Sequence, residues 1–147
     1  MYLAIEGCIG VGKTTLARLL QPQYNAGIML EVFEENPFLT QFYQDRERFA
    51  FQTQIFFLLS RYRQQQSQVP CLLQENWGNL ISDYTFEKDG IFASINLQGE
   101  ELIMYQKVHE ALAEKVTPPD LLVYLRARLD TILQRIMLRD RSYERQI

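Results

Sequence analysis

Apolar residues fall along this chain in short continuous runs that alternate with longer stretches of helical period. "YLAI", Tyr2 to Ile5, is unbroken and apolar, as a strand covered on both faces is. A glycine turn follows, then a helix from about Lys13 to Leu20. "GIMLEVF" predicts a second strand ending near Glu31. "NPFLTQFYQD" opens a helical region, with Pro37 in a first turn that lacks internal N–H bonds in any case. Within "RERFAFQTQIFFLLSRYRQQ", residues Phe51, Ile55, Leu58 and Leu59 recur at i, i+4, i+7 and i+8, one apolar helix face. Pro70, beyond the polar "QQQSQ", is expected to end or interrupt that helix. "NLISDY" reads as a third strand finishing in a carboxylate, and "KDGIFASINL" as a short helix despite Gly90. In "GEELIMYQKVHEALAEKV", Leu102, Tyr105, Val108, Leu112 and Val116 share one helix face. "PPDLLVYLRA" supplies a fourth strand, and "LDTILQRIMLRDRSYERQI" a helix running to the last residue. Strands alternating with helices imply parallel pairing, hence an α/β fold built as a three-layer α/β/α sandwich on a four-stranded parallel sheet. Functional residues should collect at the carboxyl ends of its strands.

Composition narrows this picture. At 147 residues, without a repeat or linker-like stretch, the chain has the length of one domain. An apolar content of 47% argues against disorder. No apolar run approaches the ~20 residues a membrane-spanning helix needs, and no charged leader precedes the first strand, so a cytoplasmic setting is expected. Cys8 and Cys71 are too few for a disulfide framework, and the lone His109 removes zinc sites and histidine triads. A net charge of −3 argues against binding nucleic-acid polymers. Yet Arg126, Arg128, Arg135, Arg139, Arg141 and Arg145 crowd the last segment without a lysine among them. They form either a solvated helix face or a set of guanidinium forks for phosphate oxygens.

"GCIGVGKT" fits G-x-x-x-x-G-K-[ST] and stands where its mechanism requires, between a strand and a helix. The loop of Gly7, Cys8, Ile9, Gly10, Val11 and Gly12 can curl its N–H groups toward phosphate oxygens, and the helix adds its positive end. Lys13 reaches the outer phosphates, Thr14 can ligate Mg²⁺, and Thr15 lies in the same first turn. A nucleoside triphosphate with Mg²⁺ is therefore expected. Asp83, ending the third strand, suits either a helix cap or the metal and substrate rim; beside such a loop the second reading is preferred. Glu31, at the end of the second strand, could accept a proton from an acceptor hydroxyl, but position alone does not separate it from Glu34 or Glu35.

Several segments together resemble the deoxynucleoside kinases, particularly the bacterial deoxyadenosine and deoxyguanosine kinases. "LEVFEENPFLTQFYQD" is similar to the family's E-P-V-x-x-N-P-x-L-x-x-F-Y-x-D, with Val32 in place of the usual proline. The resemblance puts the catalytic base on Glu31 and a contact to the sugar 3′-hydroxyl on Tyr43. "RFAFQTQIFFLLSR" resembles the helix that presents a glutamine to the base with an arginine seven residues later. Those fall on Gln54 and Arg61, two turns apart on one face, with Gln52 the competing choice. "LVYLRARLDTILQRIMLRDRSYE" is similar to the fourth strand and arginine-rich lid. This implies phosphate-clamping roles for Arg135 and Arg139, a third phosphate contact at Arg141, and a sugar contact at Glu144. The implied reaction is ATP-dependent phosphorylation of a deoxynucleoside 5′-hydroxyl, with a lean toward purines.

Three departures from the family pattern are visible. "SDYTF" lacks the arginine that often follows the third strand; Lys88 reads as a solvated lysine, or as a replacement for that charge. Asp140 stands where the lid usually has glycine. The chain also stops after the lid, which implies a C-terminally incomplete domain without a fifth strand. Its sheet edge should be exposed and open to a homodimer. A monophosphate kinase resembling thymidylate kinase is the nearest rival; it needs a cation near the second strand for its acceptor's phosphate, where "EVFEEN" offers only carboxylates. A noncatalytic nucleotide-binding module is the rival from another class.

Overall fold

The structure is a computed structural model that describes residues 1–32 and 36–139. The expected alternation takes shape as β1 (Tyr2–Gly7), α1 (Lys13–Leu20), β2 (Gly27–Met29), α2 (Leu39–Gln44) and α3 (Arg46–Glu75), followed by β3 (Leu80–Ser82), α4 (Lys88–Asn96), α5 (Gly99–Ala113), β4 (Leu121–Leu125) and α6 (Leu129–Arg139). All described strand pairs are parallel, in the order β2-β3-β1-β4. Tyr2 pairs with Leu80 and Gly7 with Leu125, so β1 is bonded on both sides. Tyr2, Leu3, Ala4 and Ile5 are accordingly buried, which explains why β1 is a continuous apolar run rather than an alternating one. From β1 the chain goes to the β2 side of the sheet and returns on the other side at β4. The carboxyl end of β1 is thus a topological switch point, where ligands of open α/β sheets bind.

Contacts resolve the chain into two compact units. The first comprises Met1–Leu30, Cys71–Thr85 and the described chain from Pro119 to Arg139; it contains the sheet, α1 and α6. Leu3, Ile5, Ala17, Ala26 and Ile81 form its core. β4 is an edge of the described sheet, and Leu121, Leu122 and Tyr124 on it are about half exposed or more.

The second unit, Glu31–Pro70 with Phe86–Pro118, is helical. Phe42, Ala50, Leu58, Phe86, Ala93, Leu97 and Tyr105 make its core, and Leu102, Val108, Leu112 and Val116 pack against it, the face expected of α5.

Three local expectations change. β2 stops at Met29, short of Glu31. α3 continues through Pro70 to Glu75. An internal proline costs about 3 kcal/mol. That cost is offset by the fully buried Val69 beside it and by the strong helix formers of "RQQQSQ". The third change concerns the buried stripe of α3, which runs Ala50, Thr53, Gln54, Leu58, Arg61, Gln65, Val69. Leu58 belongs to that stripe, whereas Leu59 is 41% exposed. Half of the buried face is polar, so a purely apolar template misplaces it. A helix that buries glutamine and arginine together must satisfy them, and this requirement leads to the site.

Candidate active site

In the first unit, the chain leaves β1 through Gly7 at φ 146° and enters α1 through Gly12 at φ 106°, left-handed values that favour glycine. A Cβ on Gly7 would lie 2.5 Å from the Leu125 carbonyl oxygen, because β4 runs close alongside. α1 has no side-chain cap, so its first N–H groups are left for the loop and whatever the loop holds. The Lys13 ammonium folds back over the cradle and donates to the carbonyls of Gly7 (2.8 Å) and Cys8 (3.2 Å). The Thr14 hydroxyl donates to the Asp83 carboxylate. Asp83 is buried, and its own N–H donates to the Met29 carbonyl at 3.3 Å, which ties the ends of β2 and β3 together. Asp83 and Thr14 therefore present a hydroxyl and a carboxylate side by side.

From α6, Arg135 donates to the carbonyls of Val11 (2.8 Å) and Gly10 (3.5 Å), so the first of the two expected clamp arginines rests on the loop. Arg139 is one turn further along α6, at the surface. Arg141, Glu144 and Asp140 lie outside the described residues, as do Glu34 and Glu35.

Sequence reading missed Glu6. Its carboxylate accepts from the Thr85 N–H (2.8 Å) and hydroxyl (3.2 Å), and from the Gly7 N–H (3.1 Å). It thereby ties the start of the glycine loop to the segment after β3. A charged residue closing an otherwise apolar strand was the available signal.

In the second unit, Glu31 accepts from Arg61 at one carboxylate oxygen and from Lys88 (2.7 Å) at the other. Arg61, on the buried stripe of α3, also donates to Asp89. The four charges form a chain, Lys88–Glu31–Arg61–Asp89, with side-chain exposures of 15, 18, 6 and 3%. Lys88 is therefore not a solvated lysine, and its place beside Glu31 favours the other reading, a replacement for the charge missing from "SDYTF". The first turn of α4 turns it toward Glu31, while Asp89, the next residue, faces Arg61. Burial, the largest single influence on Glu31, pushes its carboxyl up. The charges of Lys88 and then Arg61, with their hydrogen bonds, together outweigh burial and hold it down at about 2. Tyr105 is buried and feels the Asp89 charge, and both push its phenol above the usual range.

Gln54 lies on the same buried stripe as Arg61, whereas Gln52 is exposed. Tyr43 packs against the second unit's core, edge-on to Phe42 at 5.6 Å between ring centres. Among the described residues there is no cluster of three or more metal-type side chains. The oxygens of Thr14 and Asp83 nevertheless fit Mg²⁺, a hard cation that takes one or two protein oxygens and fills its shell with water and phosphate.

A parallel sheet whose first strand opens into a glycine cradle, a lysine over the cradle and hard oxygens beside it define a P-loop nucleotide-binding fold. The chain belongs to the deoxynucleoside kinase family, whose model matches residues 3–147. It is 36% identical to a deoxyguanosine kinase of Bacillus subtilis (strain 168), over 99% of this chain and 70% of that one. It is 35% identical to the deoxyadenosine/deoxycytidine kinase of the same organism, over 98% and 68%. Among solved structures, the deoxyadenosine kinase from M. mycoides with bound dCTP superimposes with a TM-score of 0.82 at 29% identity, covering all of this chain and 75% of that one. The same kinase with bound dATP gives 0.81.

Proposed function

We propose that this protein transfers the γ-phosphoryl group of ATP to the 5′-hydroxyl of a deoxynucleoside, with purine deoxynucleosides preferred, as a cytoplasmic salvage enzyme. The observation that carries the acceptor half is Glu31: a mostly buried carboxylate held ionised by Lys88 and Arg61, two cations that are themselves engaged by carboxylates, Glu31 and Asp89. A neutral hydroxyl acceptor fits that environment, and the monophosphate-kinase alternative does not. Every related kinase reported above is named for deoxyguanosine or deoxyadenosine, one of them for deoxycytidine as well, and this supports the purine preference.

The donor's phosphates lie in the glycine cradle, on the backbone N–H groups of Gly7 to Gly12 and the first turn of α1, including Thr14 and Thr15. Lys13 exchanges its loop carbonyls for the outer phosphates. Thr14 and Asp83 would hold Mg²⁺, which would supply neutralising charge to the donor's phosphates. Arg135, together with Arg139 and Arg141, offsets charge on the phosphoryl group as it moves. Glu31 accepts the 5′-hydroxyl proton as the new O–P bond forms and the bond from the γ-phosphorus to the bridging oxygen breaks, leaving ADP. Gln54 reads the base edge and Arg61 supports it, while Tyr43 and Glu144 hold the 3′-hydroxyl. Glu31→Gln tests this assignment: deoxynucleoside binding should persist by calorimetry while turnover falls roughly 10²–10⁴-fold. Near-normal turnover in that variant removes Glu31 from the role.

A further inference from the structure

Lys88 occupies a position that helix electrostatics disfavours. It begins α4, where the exposed N–H groups create a positive end that favours carboxylates such as Asp89 and opposes a cation. It is also largely withdrawn from water, at 15% side-chain exposure. That burial carries a desolvation cost, which pairing with Glu31 offsets. The arrangement also provides direction. The Lys88 ammonium is 2.7 Å from Glu31 Oε2 and stands 5.8 Å from the centre of the Phe92 ring, one turn along α4. Arg61 holds the other oxygen, Oε1, and is itself anchored by Asp89 and by the face of Phe57 at 5.0 Å. With one cation, Glu31 could rotate about its last side-chain bond; with a separate cation on each oxygen, the plane of the carboxylate is fixed.

We propose that Lys88 is a positioning residue for phosphoryl transfer: it pins Oε2 of Glu31 opposite Arg61, so that the carboxylate meets the acceptor hydroxyl ionised and in one orientation. The inference rests on the reading of Glu31 as the base. Lys88 does not take the transferred proton; as an ammonium it has no free pair to accept one.

The test compares the wild-type protein with Lys88→Met and Lys88→Arg, using two readouts. In carboxyl-labelled protein, the Glu31 side-chain carbon of the wild type should keep its ionised chemical shift from pH 7 down to pH 3. In K88M it should titrate within that window, because burial then faces one cation instead of two; in K88R it should behave as in the wild type. In steady-state assays, K88M should lose roughly ten- to a hundredfold in kcat, the scale of a misplaced catalytic group. Its KM for ATP should be unchanged, and K88R should recover most of the rate. Identical Glu31 titrations in wild type and K88M overturn the proposal. So does a shifted titration with unchanged kcat, which would make the contact merely structural. If the wild type turns over no deoxynucleoside, the kinase reading fails, while the titration still decides whether Lys88 controls Glu31.

Discussion

Glu31→Gln should change how stability depends on pH, and by an amount that follows from the structure. The Glu31 carboxyl is held at about 2, against an ordinary value of 4.5, and its side chain is 18% exposed. A group whose folded value lies below its unfolded value stabilises the fold above the unfolded value and loses that contribution as pH falls through the folded one. The depression corresponds to about 3 kcal/mol at pH 7. By linkage, nearly all of it remains at pH 5, about 1.5 kcal/mol remains at pH 3, and little survives at pH 2. Urea unfolding of the wild type and of Glu31→Gln at matched pH values isolates this contribution, because other carboxylates titrate in both proteins and cancel. The stability difference should shrink by roughly 1.5–2 kcal/mol between pH 5 and pH 3. A difference that stays flat across that interval would refute the claim that Lys88 and Arg61 hold Glu31 ionised.

Two further outcomes follow from single residues. Gly7→Ala places a Cβ against the Leu125 carbonyl oxygen at a φ of 146°, and should destabilise the protein by about 2 kcal/mol or more, read as a lowered urea midpoint. Gln54→Ala should raise KM for the deoxynucleoside roughly tenfold or more, the scale of one lost buried hydrogen bond. The exposed Gln52→Ala should leave it within a factor of about two; equal effects of the two substitutions would contradict the assignment of base reading to Gln54.

The fold was legible because its signals are local. Four short apolar runs and the helical period of α5 survive any tertiary context, and the glycine loop carries its own geometry in Gly7, Gly12 and Lys13. What the sequence concealed was non-local. The buried stripe of α3 mixes Gln54, Arg61 and Gln65 with Leu58, so hydrophobic periodicity picked Leu59 as well and left Gln54 and Arg61 to be found by the family resemblance alone. Pro70 reads as a terminator, yet burial of Val69 carries the helix across it. Lys88 is a lysine in a charged tripeptide until α4 turns it onto a glutamate 57 positions earlier in the chain. Glu6 likewise gains meaning only when Thr85 is folded against it. Each case depends on which charge meets which, and a linear pattern does not encode that.

The most direct measurement is ADP release by the folded protein with ATP and Mg²⁺, assayed against each of the four deoxynucleosides, with the product resolved chromatographically. Turnover should be fastest with deoxyguanosine or deoxyadenosine, yield the deoxynucleoside 5′-monophosphate, and disappear when Mg²⁺ is chelated. Binding of ATP with no turnover of any of the four would contradict the account and leave a nucleotide-binding module in its place.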